Sequence, residues 1–143
     1  MAYKTTFNPK NIKKYIGDCT KIKCRSLWER NVCKFCDENP NILKWAFEEL
    51  PIKYMNPIDK KIHTYYPDFL IQFIKEEKIY SWMIEVKPKK QTFLKETASK
   101  KEKITWIIND AKWKAAKRYC DQNNMEFKII TEKEIFNDKL SKS

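Results

Sequence analysis

With one glycine, Gly17, and one histidine, His63, among 143 residues, this chain gives up two large classes of chemistry. Glycine-rich phosphate loops, the nucleotide-binding P-loop among them, need several glycines where backbone must approach a phosphate. Multi-histidine metal centres are ruled out likewise, and with them the usual zinc hydrolases. Neither an apolar run of about 18 residues nor a signal-peptide core is present, so the expectation is a soluble intracellular protein without membrane contact.

The five cysteines, Cys19, Cys24, Cys33, Cys36 and Cys120, are odd in number, and without an export signal they are expected to be reduced. Cys33 and Cys36 fall within a helical pattern. They read as small core hydrophobes rather than as half of a four-thiolate zinc site with Cys19 and Cys24.

What the chain has is apolar bulk and positive charge. Hydrophobic content of 42%, with five Trp, seven Tyr and eight Phe, argues against disorder. The length suits one domain able to bury its own core. Net charge is +11 and unevenly placed: residues 1–30 hold eight basic and two acidic side chains, and residues 87–103 hold seven lysines and two glutamates. Positive charge gathered in two segments suits a polyanion whose phosphates must be held.

Pro67-Asp68 is followed, seventeen residues after the aspartate, by Glu85-Val86-Lys87. Between them, residues 69–74 and 79–84 read as two strands joined by the charged turn Lys75-Glu76-Glu77-Lys78. An antiparallel hairpin symmetric about that turn pairs residues summing to 153 and sets Asp68 opposite Glu85. Facing carboxylates are tolerable mainly with a cation between them. Alternation puts Lys87 on the face of Glu85 and turns Ile84 and Val86 the other way. Glu-x-Lys also occurs at Glu76/Lys78 and Glu126/Lys128, but neither copy has a facing Pro-Asp.

Along the chain, a basic irregular arm (1–24) precedes Ser26-Leu27-Trp28-Glu29, a capping box opening a helix that runs to about Asn39-Pro40. Glu29 lies at the inner edge of that helix's apolar stripe. Strands are predicted at 42–47 and 52–55, continuing into the Asp68 hairpin as an antiparallel meander. A helix from about Lys101 to Asn123 carries Ile104, Ile108, Ala111, Ala115 and Tyr119 inward and Lys112, Lys114 and Lys117 outward. A strand at 127–130 and a short helix in 132–143 close the chain. The order predicts an α/β or α+β fold, a sheet with helices packed against it.

Glu29 on a helix, then Pro67-Asp68, then Glu85-Val86-Lys87, then a helix and a strand, resembles the PD-(D/E)-x-K nuclease superfamily over residues 25–131. Blocks at residues 9–18, 25–29, 84–90 and 110–116 resemble more closely the head completion nucleases of T-even-like tailed phages. That family is similar in turn to the cleavage subunit of cut-and-paste transposons. The resemblance implies a restriction-endonuclease-like core with a mixed sheet of about five strands, and Mg²⁺ or Mn²⁺ held by Asp68, Glu85 and the Val86 carbonyl. It implies Lys87 as catalytic lysine and Glu29 as a further ligand or base, and leaves Lys89, Lys90, Lys112 and Lys114 for contacts to double-stranded DNA. It further implies action on packaged genome ends in the host cytoplasm during virion assembly, beside head, portal or neck proteins. A transposase- or recombination-type subunit and a DNA-end clamp with little turnover are the alternatives.

Overall fold

The computed structural model describes residues 4–87 and 94–131. In chain order it contains strands β1 (Thr5–Thr6) and β2 (Lys23–Cys24), helix α1 (Leu27–Glu38), strands β3 (Ile42–Phe47), β4 (Ile52–Met55), β5 (Ile62–Tyr65), β6 (Phe69–Lys75) and β7 (Lys78–Val86), helix α2 (Lys100–Gln122) and strand β8 (Glu126–Ile130). The expected closing helix in 132–143 lies outside the described residues.

The central sheet is mixed, in the order β3-β6-β7-β8, antiparallel except for the parallel β7–β8 pair. Parallel strands need a long crossover, and α2 supplies it. The predicted hairpin register holds, with Phe69 paired to Ile84 and Lys75 to Lys78. This leaves a two-residue turn in which Glu76 (φ 52°) and Glu77 (φ 66°) are both left-handed. Such turns match strand twist but suit Asn-Gly, because a β-carbon in the left-handed region costs roughly 1–2 kcal/mol per residue. Replacing Glu76 by Asn and Glu77 by Gly together should stabilise the protein by about 1–2 kcal/mol in chemical denaturation. A loss of stability would mean that the two glutamates make compensating contacts.

Four strands, not about five, form the central sheet among the described residues. The missing member is β4, which leaves the expected meander and pairs with β5, a strand unforeseen in Ile62-His63-Thr64-Tyr65. Its alternating burial explains the departure, since Ile52 and Tyr54 pack with Tyr65 against Ala116 and Cys120 of α2. The β4–β5 hairpin and α2 thus cover one face of the sheet with Met83. On the other face α1 and the arm enclose Trp45, Phe69, Ile71 and Ile84. Both faces of β7 are therefore buried at Met83, Ile84 and Glu85.

Ser26 caps α1, its Oγ accepting from Glu29 N–H at 3.0 Å, an arrangement worth typically about 1 kcal/mol. The expected reciprocal half of the capping box is displaced by one residue. Glu29 Oε1 accepts from the backbone N–H of Arg25, at 2.7 Å, instead of from Ser26.

The basic arm is more ordered than its composition suggests. The buried Asp37 carboxylate accepts from Lys10 N–H at 2.8 Å and Asn11 N–H at 3.0 Å, which pins the arm to the end of α1. Tyr15 then bridges to Trp45 along the free edge of β3, with Ile16 N–H donating to Trp45 O at 2.8 Å, so the arm shields that edge. The lone glycine follows: Gly17 has φ +120°, and a β-carbon there would collide with the Glu49 carboxyl group. Cys24, Cys33 and Cys36 are core residues, with Cys24 and Cys33 sulfurs 3.6 Å apart as free thiols. Among the described residues no helix is long and apolar enough to cross a membrane.

Candidate active site

The hairpin register carries the site. Asp68 stands one residue before β6, so continuing the Phe69–Ile84 pairing brings it opposite Glu85. The ladder is modified there: Val86 N–H donates to Asp68 Oδ2 at 2.7 Å, while Asp68 O accepts from Glu48 N–H at 3.0 Å. Glu85 is only 5% exposed although nothing in its strand position demands a carboxylate. Its Oε1 accepts from the Tyr65 hydroxyl at 2.7 Å, and its Oε2 lies 3.3 Å from Lys87 Nζ.

The Asp68 carboxyl is pushed up to about 7, first by burial and then by the negative charge of Glu85, with the Val86 N–H bond offsetting part of the rise. Glu29 adds to the rise and Lys87 opposes it. The Tyr65 phenol is likewise held above its usual range by burial and then by Glu85. The arrangement has more negative charge than one lysine neutralises.

Glu29 reaches this group from α1. One carboxylate oxygen each of Glu29, Glu48 and Asp68 lie within 4.8 Å of one another, and the Arg25 guanidinium pairs with Glu48. Glu48 was not foreseen. It follows β3 with a left-handed φ of 52°, the kind of strained backbone that the surroundings must impose. No sequence motif marks it, because its relevance arises only where the end of β3 crosses the start of α1.

The basic residues are placed less uniformly than the sequence suggested. Lys112, expected on the outer face of α2, is half-buried, with Nζ 5.6 Å from the Tyr65 ring centre and 6.0 Å from that of Tyr54. The β4–β5 hairpin covers a wider arc of α2 than the apolar stripe predicts. Lys114 is exposed and pairs with Asp110 at 2.9 Å. Lys89 and Lys90 lie outside the described residues.

Oxygen donors, two of them facing carboxylates and one with its proton affinity raised by uncompensated charge, fit a hard divalent cation. Among the described residues, Glu29, Glu48 and Asp68 bring carboxylate oxygens close enough to one another to hold one, and Glu85 stands beside Asp68 with its oxygens engaged by Tyr65 and Lys87.

A mixed sheet with an α-helical crossover between its parallel strands, bearing an acid, an acid and a lysine on adjacent strand ends, defines a restriction-endonuclease-like domain. The chain belongs to the family described as TnsA-like endonuclease N terminal, whose profile matches residues 39–132. By family it is a nuclease. It is also 37% identical over 142 residues to the head completion nuclease of Enterobacteria phage T4, spanning 92% of this chain and 93% of that one. No solved structure matches it. The family match begins after α1, so Glu29 falls outside it, whereas Asp68, Glu85 and Lys87 fall inside.

Proposed function

We propose that this chain is a Mg²⁺-dependent deoxyribonuclease, with Mn²⁺ able to substitute, that hydrolyses phosphodiester bonds at packaged genome ends during phage head completion. The observation that carries the catalytic reading is the facing pair of half-buried Asp68 and buried Glu85 with Lys87 Nζ beside it. Asp68, Glu85 and the Val86 carbonyl would hold the cation, with Glu29 a further ligand and Glu48 close by. When bound, Mg²⁺ supplies Lewis-acid polarisation of the phosphate and a water of lowered pKa.

The chain's own side chains do the rest. Lys87 holds Glu85 Oε2 in place and sets a positive charge where negative charge grows on the phosphate oxygens. Glu29, anchored by Arg25 N–H, orients water at the Asp68 side or shares the cation. Lys89, Lys90, Lys112 and Lys114 contact backbone phosphates of double-stranded DNA, which positions the duplex without reading its sequence. For Lys112 this requires the ammonium to serve the Tyr65 ring and a phosphate together.

The setting is the host cytoplasm during virion assembly, with head, portal or neck proteins as partners; the resemblance to the phage T4 protein supports it. The TnsA-like match favours a second reading, a transposition-type subunit that cuts only within a complex. The experiment is incubation of purified protein with linear duplex DNA and Mg²⁺. Cleavage by the protein alone, abolished by chelator and restored by Mn²⁺, is expected. Chelator-resistant cleavage contradicts the metal reading, and cleavage only with added protein partners favours the transposition-type reading.

Glu29→Gln separates two roles, since Gln still accepts from Arg25 N–H but is neither an anionic ligand nor a base. Near-normal melting with cleavage reduced at least tenfold is expected, on the order of a lost general base or metal-shell residue. Full activity would leave Glu29 as a helix-end residue alone.

A further inference from the structure

Glu85 is held at both carboxylate oxygens, and only one of its two holders belongs to the Glu-x-Lys motif. Lys87 lies 3.3 Å from Oε2, and the Tyr65 hydroxyl donates to Oε1 at 2.7 Å. Tyr65 comes from β5, in the hairpin outside the central sheet. It is 6% exposed and its ring is packed with Ile52, Tyr54, Met83 and Ala116, so the phenol cannot swing aside without opening that cluster. Lys112 Nζ, 5.6 Å from the ring centre, attracts the π face from the α2 side and draws density from the ring, which strengthens the hydroxyl as a donor.

The choice of donor matters. A second lysine at Oε1 would satisfy Glu85 but repel an incoming cation. A phenol fixes the carboxylate rotamer without adding a second positive charge to that of Lys87. A tyrosine that merely filled the core would not need its hydroxyl on the one buried carboxylate of β7.

We propose that Tyr65 is a positioning residue for the metal-dependent chemistry, its hydroxyl holding Glu85 in the orientation that receives the cation, with Lys112 bracing the ring. This rests on the reading of Asp68 and Glu85 as metal ligands. The β4–β5 hairpin thereby acquires a role at the site and not only in covering the sheet.

The test is Tyr65→Phe in the full-length chain, with Mn²⁺ binding measured by calorimetry in the absence of DNA. Loss of a group that orients a metal ligand typically costs about 10–100-fold in metal affinity, and a loss in that range is expected. The difference between metal-loaded and metal-free melting temperatures should shrink with it, a readout that a packing defect alone does not move. Cleavage should need correspondingly more metal while KM for DNA stays unchanged, because Tyr65 is buried away from any duplex. Wild-type Mn²⁺ affinity in Tyr65→Phe, with only a lower metal-free melting temperature, would overturn the proposal and leave the ligand assignment standing. If the wild-type chain binds no Mn²⁺, the ligand assignment falls and Tyr65's role with it.

Discussion

Asp68→Ala, Glu85→Ala and Lys87→Ala are each expected to lower DNA cleavage by at least about a hundredfold with the fold retained, as removal of a member of a metal-dependent catalytic set does. The three act as a unit in which Lys87 and Glu85 are ion-paired and Asp68 faces Glu85, so combining two substitutions should cost little more than one. Glu85→Ala also strips the acceptor from Tyr65 and leaves a buried hydroxyl unpaired. Glu85→Gln, which keeps the shape, is the companion variant, and it should be as inactive while melting closer to the wild type. Activity within tenfold of wild type in any of these variants, measured on linear duplex with saturating Mg²⁺, would remove that residue from the catalytic set.

The second large effect is on stability. Asp68 has its carboxyl pushed from 3.8 up to about 7 in the folded protein, first by burial and then by Glu85. The folded state therefore holds this proton more tightly than the unfolded chain. Its contribution is fully present below the ordinary aspartate value and is lost as pH rises towards 7, after which it is flat. With chelator present, this group should make the protein lose on the order of 2–4 kcal/mol between about pH 4 and pH 7. Asp68→Asn removes that dependence, so it should be more stable than wild type at pH 8 without metal and should lose the stabilisation that metal gives the wild type. Denaturant titrations across that range provide the measurement. Parallel wild-type and Asp68→Asn curves would show that no uncompensated charge is stored at Asp68.

The parts of the fold that sequence made visible were those fixed by local rules. The β6–β7 register could be counted because both strands alternate around a short charged turn, and Asp68 and Glu85 face each other as a consequence of that count. Ser26 announced α1, whereas the parallel β7–β8 pair was foreshadowed only by the mixed sheet that the resemblance implied. What stayed hidden depends on contacts distant in sequence. β5 is four residues including His63 and Thr64, too polar to announce itself, and it exists because Tyr65 and Ile52 share a core with α2. Without β5 neither Tyr65 nor the half-burial of Lys112 could be anticipated. Glu48 became a neighbour of Asp68 only through the crossing of β3 and α1, and a backbone forced to positive φ is invisible to propensity. Half of the capping box failed because Arg25 N–H lies within reach of Glu29 and competes for its carboxylate.

The claim that Asp68 and Glu85 form a cation site is tested most directly by the position of Mn²⁺ in crystals of the protein soaked in that ion and read by anomalous scattering. A peak within coordination distance of Asp68 and Glu85 carboxylate oxygens, and absent in Asp68→Asn crystals treated alike, is the predicted result. A peak confined to other carboxylates, or one that persists unchanged in Asp68→Asn, would contradict it.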